Sequence, residues 1–150
     1  MSIRKKRKNE TPLQKAERCM HNLAWKAMSE YTRRKNADAN GMVKCVTCGI
    51  VLHWTEVHAG HYIPEHTCSI LRFDRDNIHP QCPKCNRYHN ANLARYTLYM
   101  LDKYGLEFVQ NFICIDDRHE KVKRTLEEQL GYNTEVRDYF KFLIKTLDAK

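Results

Sequence analysis

A chain of 150 residues and 17.9 kDa, 42% hydrophobic and 10% aromatic, carries enough apolar material for one folded domain with a modest core. Its net charge is +8, from 26 Lys and Arg against 18 Asp and Glu. No apolar run approaches the roughly 20 residues that cross a bilayer. The basic N-terminus is not followed by the apolar stretch of a signal peptide. The expectation is therefore a soluble, intracellular protein with no membrane partner.

The excess charge is local. Residues 1–35 hold eleven cations against three acids, residues 36–115 seven against seven, and residues 116–150 eight against eight. Arg4, Lys5, Lys6, Arg7 and Lys8 form a run too charged to fold alone. Residues 1–10 are accordingly read as a disordered basic arm that attracts DNA phosphate by counterion release. A solubilising tail and a localisation signal are the alternatives for the same run.

Residues 11–150 read as a single domain. Thr11 before Pro12 marks a helix start, a capping oxygen ahead of a proline at the first helical position. Leu13, Ala16, Met20, Leu23, Ala24, Ala27 and Met28 recur at helical spacing to about Lys35, and Asn36 to Gly41 end an N-terminal helical segment spanning 11–40. Trp25 and Tyr31 could stack on bases, but they share that spacing and are read as core. Residues 42–63 suggest two short strands around a first cysteine pair, with His53 and Trp54 at the turn, and residues 65–76 a loop across the mouth of a site.

Leu93, Tyr96, Thr97, Met100, Leu101 and Tyr104 then outline a helix closed by Gly105, and Leu106, Phe108, Val109, Phe112 and Ile113 a second. Thr125 to Leu130 suggest a third, stopped by Gly131. A fourth starts near Asn133 or Thr134 and buries Val136, Tyr139, Phe140, Leu143 and Leu147. The C-terminal helices span residues 106–150, and the last two of them are expected to pack as a hairpin on the domain or on a second copy of it. The fold class is α+β.

Two Cys-x-x-Cys pairs, Cys45 with Cys48 and Cys82 with Cys85, have the spacing of two zinc knuckles. Each tight turn aims two sulfurs at one ion, so four thiolates make a closed tetrahedral cage for a structural Zn2+. Reduced core thiols or a redox dithiol are the alternative. Cys19, Cys68 and Cys114 lack such spacing and are read as small apolar residues of a reducing compartment.

Between and after the knuckles stand Cys45-Val46-Thr47-Cys48-Gly49, Ala59-Gly60-His61-Tyr62, Leu71-Arg72-Phe73, Asn77-Ile78-His79, Gln81-Cys82, Cys85-Asn86 and Asn92-Leu93. In these residues the chain resembles the NinG/Rap family of phage recombination endonucleases. It is more distantly similar to phage endonuclease VII-type Holliday-junction resolvases, which are HNH or His-metal finger enzymes. The likeness implies a zinc-stapled treble-clef or ββα-metal finger core at residues 42–105, flanked by N-terminal and C-terminal helices. It also implies a homodimer, contacts with phage or host recombination proteins, and residence in the bacterial host cytoplasm.

The resemblance also assigns roles. His61 stands where the family has its general base, Asn77 at the middle asparagine that ties the loop and holds the base, and Asn86 at a metal position. Many such sites carry Asp or His immediately before the base, where this chain has Gly60. His58, on the same strand face as Gly60 if the segment is a strand, and His89, one helical turn after Asn86, are candidates to complete the shell of a catalytic Mg2+ or Mn2+, with Asn90 beside it. Arg72 and His79 also fit the NinG/Rap pattern. An arginine can grip phosphate and a histidine can protonate or orient substrate, yet each could equally pin the loop.

Neutral imidazole has a suitable pKa for activating water, and a divalent cation can neutralise the scissile phosphate. The expected function is thus a metal-dependent, structure-specific endonuclease for branched DNA such as Holliday junctions and D-loops. A non-catalytic zinc-ribbon DNA-binding protein and an HNH nuclease cutting linear duplex are the competing readings.

Overall fold

The computed structural model describes residues 10–87, 92–117 and 124–149, and its elements follow an α+β order. Helix α1, Pro12–Arg34, opens on a capping box. The Gln14 N–H donates to Thr11 Oγ1 at 3.2 Å, and the Thr11 N–H donates to Gln14 Oε1 at 2.9 Å. Arg33 and Arg34 close it, where cations suit the negative end of the helix dipole.

Strands β1, Met42–Lys44, and β2, Val51–His53, pair antiparallel around the first knuckle. That knuckle is itself the turn of the hairpin, and Gly49 takes a φ of +79° there that a side chain would strain. His53 therefore ends a strand instead of sitting at the turn. Strands β3, His58–His61, and β4, Ile78–Gln81, form a second antiparallel pair. Neither β4 nor the separation of β2 from β3 is legible in the sequence, because strands of three or four residues leave almost no alternation to detect.

Residues 65–76, expected as a loop, include one turn of helix. A 3-10 turn at Ile70–Phe73 buries Leu71 and Phe73, and Cys68 is fully buried beside them. Helix α2, Pro83–Arg87, starts within the second knuckle; α3, Leu93–Tyr104, ends at Gly105 with φ +84°; α4 is Leu106–Asp117.

The C-terminal segment is one helix, α5, Leu126–Asp148, capped by Thr125. Gly131 does not stop it, because the following turn is anchored. Asn133 is fully buried, donating to Glu17 Oε1 on α1 and accepting from Gln129, both at 3.1 Å. Helix α5 lies beside α1 in the same direction, with Phe140 buried near Tyr31 and Arg34 paired with Asp148. The expected C-terminal hairpin is replaced by this pair, and Tyr139 is half exposed instead of buried. Cys19 and Cys114 also lie exposed, while Cys68 fits the core reading.

The β3–β4 pair sits between two apolar clusters. Ala59 and Ile78 pack with Ala24, Ala27, Met28 and Phe140 of the α1–α5 layer. On the other side Tyr62, Ile63, Cys68 and Leu71 pack with Tyr96 and Met100 of α3 and with Val109 and Phe112 of α4. Among the described residues no helix is long and apolar enough to cross a membrane.

A Cβ on Gly131 would meet nothing within 4 Å, and the residue lies inside a helix. Gly131→Ala is therefore expected to stabilise the protein by roughly 0.5–1 kcal/mol through lower unfolded-state entropy and better helix propensity. An unchanged or lower midpoint in urea denaturation would contradict the continuous helix.

Candidate active site

The four knuckle sulfurs of Cys45, Cys48, Cys82 and Cys85 all lie within 4.8 Å of one another, and Cys48 Sγ is 3.7 Å from Cys82 Sγ. Tetrahedral zinc with Zn–S bonds of about 2.3 Å places sulfurs about 3.8 Å apart. The cluster fits that ion. Its sulfurs also receive hydrogen bonds suited to thiolates: Thr47 Oγ1 lies 3.2 Å from Cys45 Sγ, the Cys85 N–H donates to Cys82 Sγ at 3.4 Å, and Asn92 donates to Cys85 Sγ at 3.5 Å. Four cysteines near one another thus provide a site for a structural metal such as zinc, complete without a water position.

Strand alternation sorts the residues around the hairpin. His61 and Ala59 face α1, while His58, Gly60, His79 and Gln81 lie on the opposite face, with His58 opposite Gln81 and Gly60 opposite His79. His61 opens onto a cleft of about 690 Å³ lined by His21, Asn22 and Trp25 of α1, by Glu65 and His66, and by Asn86. The His61 ring stacks on Trp25, centroids 5.2 Å apart and planes 16° from parallel. Its Nε2–H donates to the Arg72 carbonyl at 2.8 Å. Burial lowers the His61 pKa, outweighing the Arg72 carbonyl and Glu65, so the ring is neutral near pH 7 and Nδ1 keeps its lone pair.

Asn77 holds that arrangement from beneath. Fully buried, it accepts the Ile63 N–H at 2.8 Å and donates to the Ile63 and Leu71 carbonyls at 2.9 and 3.0 Å. It thereby fixes both ends of the segment that delivers the Arg72 carbonyl to His61. The Arg72 side chain does not touch His61; its Nε lies 3.7 Å from a Glu65 oxygen. In Arg72 the structure uses the backbone.

His79 is out of a substrate's reach. It is fully buried, with Nδ1 2.9 Å from the Tyr96 hydroxyl and Nε2 3.0 Å from the Tyr104 hydroxyl. Tyr96 in turn donates to the Gly60 carbonyl at 2.8 Å, and Tyr104 to Asp76 at 3.0 Å. Burial, with Lys103 and Lys35 nearby, brings the His79 pKa down to about 3. Of the alternatives the sequence leaves for His79, this geometry matches pinning and corrects the catalytic one.

His58 touches Asn86: its Nδ1 lies 3.1 Å from Asn86 Nδ2 and accepts that N–H. Burial, then the charges of Arg87 and Arg33, lower its pKa. His89, Asn90 and the arm residues Arg4, Lys5, Lys6, Arg7 and Lys8 lie outside the described residues. Sequence reasoning misses Trp25 and His21 as site residues, since their helical spacing is also that of core. The signal available was that 21 and 25, four apart, share one helix face.

Fold and site together define a small α+β protein whose two short strand pairs meet at a four-cysteine cluster able to hold a metal. A family model described as "Bacteriophage Lambda NinG protein" matches residues 2–149, and the chain belongs to the NinG family. It is 32% identical over 105 residues to Protein ninG of Escherichia phage 933W, covering 70% of this chain and 48% of that protein. It is 30% identical over 120 residues to the ninG proteins of Salmonella phage P22 and Escherichia phage lambda, covering 80% of this chain and 55% of each. The chain thus spans about half the length of these relatives. No solved structure matches it.

Cys82→Ser should remove the metal and unfold the region between the knuckles, because two hairpins this short lose the cross-link that joins them. Metal analysis with circular dichroism checks this; a metal-free variant with native ellipticity would show that the cluster is not structural.

Proposed function

We propose that the chain is a metal-dependent endonuclease of the His-metal finger kind that hydrolyses phosphodiesters in DNA, with branched DNA of phage recombination as its substrate. The observation that carries this reading is the condition of His61. It is neutral, its Nε2–H is tied to a backbone carbonyl, and its ring is held on Trp25 in an open cleft that also contains Asn86. His79, by contrast, is fully buried with a tyrosine hydroxyl against each ring nitrogen.

In the proposed reaction Nδ1 of His61 takes a proton from a water entering the cleft. The Arg72 carbonyl stabilises the resulting imidazolium and prevents the ring from turning. Asn77 holds that carbonyl in place through Leu71 and Ile63. Asn86 is the cation ligand implied by the endonuclease VII likeness, and a bound Mg2+ or Mn2+ would neutralise charge on the phosphate and the departing oxygen.

The order β3, β4, α2, with a cysteine pair at the start of the helix, supports the ββα-metal and treble-clef description. Arg33 and Arg87 stand close enough to His58 to act on its charge, which supplies cations for a DNA backbone beside the cleft. The preference for branched DNA rests on the family likeness. The absence of an acid at Gly60 favours the rival reading, a DNA-binding protein without catalysis.

The test is cleavage of matched four-way junction, flap and linear duplex DNA with and without Mg2+ or Mn2+. His61→Ala should lower the rate about 10²- to 10⁴-fold while zinc content and DNA binding persist. Cleavage by the parent should fail on the acid side only below pH 6.5, because the neutral base is lost as pH falls through a pKa that burial has lowered. Undiminished cutting by His61→Ala would sink the proposal in favour of the rival.

Deleting residues 1–8 should weaken binding to all DNA sequences alike and flatten its salt dependence, since the five cations of the run address phosphate. An unchanged salt slope would assign the arm another role.

A further inference from the structure

Position 60 poses a chemical question that the nuclease reading leaves open, namely what replaces the acid usually found before the base. A Cβ built on Gly60 would lie 2.0 Å from Gln81 Oε1 and 2.9 Å from Asn86 Oδ1, so these oxygens are at most 4.9 Å apart and converge on the volume a side chain there would fill. Gln81 is fully buried on β4, opposite His58 in register, and its side chain reaches diagonally across the hairpin to Gly60. Asn86 faces the cleft that contains His61.

We propose that Gln81 supplies the oxygen missing at position 60, and that Gln81 Oε1 and Asn86 Oδ1 together form the protein side of the Mg2+ or Mn2+ site; this rests on the nuclease reading above. Two oxygens on one octahedral Mg2+, at about 2.1 Å from the ion, lie roughly 3 to 4.2 Å apart, within the bound the geometry sets. His58 is then a positioning residue. By accepting the Asn86 Nδ2–H at 3.1 Å it turns the amide so that Oδ1 points toward Gly60.

Glycine at 60 follows from the same arrangement, because any Cβ would displace the Gln81 amide. Two neutral amide oxygens bind a hard cation less tightly than carboxylates do, so water and substrate phosphate complete the shell. An acid at 60 by itself does not rebuild the site, since it enters the space Gln81 occupies.

The experiment is titration of zinc-loaded protein with Mn2+, followed by the electron paramagnetic resonance signal of the free ion, with zinc content and circular dichroism recorded for every variant. Gln81→Leu should weaken Mn2+ binding at least tenfold, and Gln81→Glu should tighten it. Gly60→Asp should bind Mn2+ poorly and melt below the parent, whereas Gly60→Asp combined with Gln81→Ala should regain both stability and Mn2+ binding. His58→Ala should weaken Mn2+ binding less than Asn86→Ala does. If the parent binds Mn2+ and cuts DNA but Gln81→Leu and Gln81→Glu match it, this assignment is overturned and the nuclease reading stands. If the parent binds no Mn2+, the assignment also falls, and His61→Ala then decides the nuclease reading by itself. Should Gln81→Leu fail to fold, Gln81→Glu and the double variant carry the decision.

Discussion

Four cysteines at the ends of two hairpins hold together pieces too small to persist alone. Each sheet has two strands of three or four residues, well below what is independently stable in water. The first knuckle joins β1 to β2, and the second joins β4 to α2, so a metal held by all four thiolates would link the first strand pair to β4 and α2. The Val46 N–H donates to the Pro80 carbonyl at 3.0 Å, extending that cross-link into β4. Asn86 follows a cysteine directly, and Gln81 precedes one. Their positions are therefore tied to the cluster as well as to the apolar layers on either side of the strand pair.

A second constraint comes from buried polar groups, each of which costs free energy unless paired. Asp76, Tyr104, His79, Tyr96 and the Gly60 carbonyl form a continuous run of polar contacts from the surface into the interior. It anchors β3 from the face opposite His61. Asn77 does the same for the loop behind His61. His79 on one face of the hairpin thus serves rigidity, while His61 on the other faces the cleft.

Helix α1 joins this site to the outer layer. Its inner face packs through Ala24, Ala27 and Met28 on the hairpin, and one turn of it offers Trp25 to His61. Helix α5 backs α1 with buried Asn133 and Phe140. The ring stack depends on that support, because Trp25 can meet the partly buried His61 only while α1 is held against the hairpin.

Some of this was legible in the chain. Thr11-Pro12 and Gly105 mark helix ends through local backbone chemistry, and both Cys-x-x-Cys spacings announce a tetrahedral site, because capping and knuckle turns involve residues only a few positions apart. His61, Asn77 and Asn86 stand out through family spacing. Strand β4 and the unbroken α5 were not legible. The first is too short for a periodic signal, and in the second a glycine that would end an isolated helix is overridden by Asn133 and Phe140 packing on α1. The distinction between His61 and His79 also belongs to the tertiary structure. Both are histidines on adjacent strands, but two tyrosines from α3 close around one, while α1 leaves the other a single backbone bond and a cleft, and contacts between residues so distant in the chain have no local trace in its sequence.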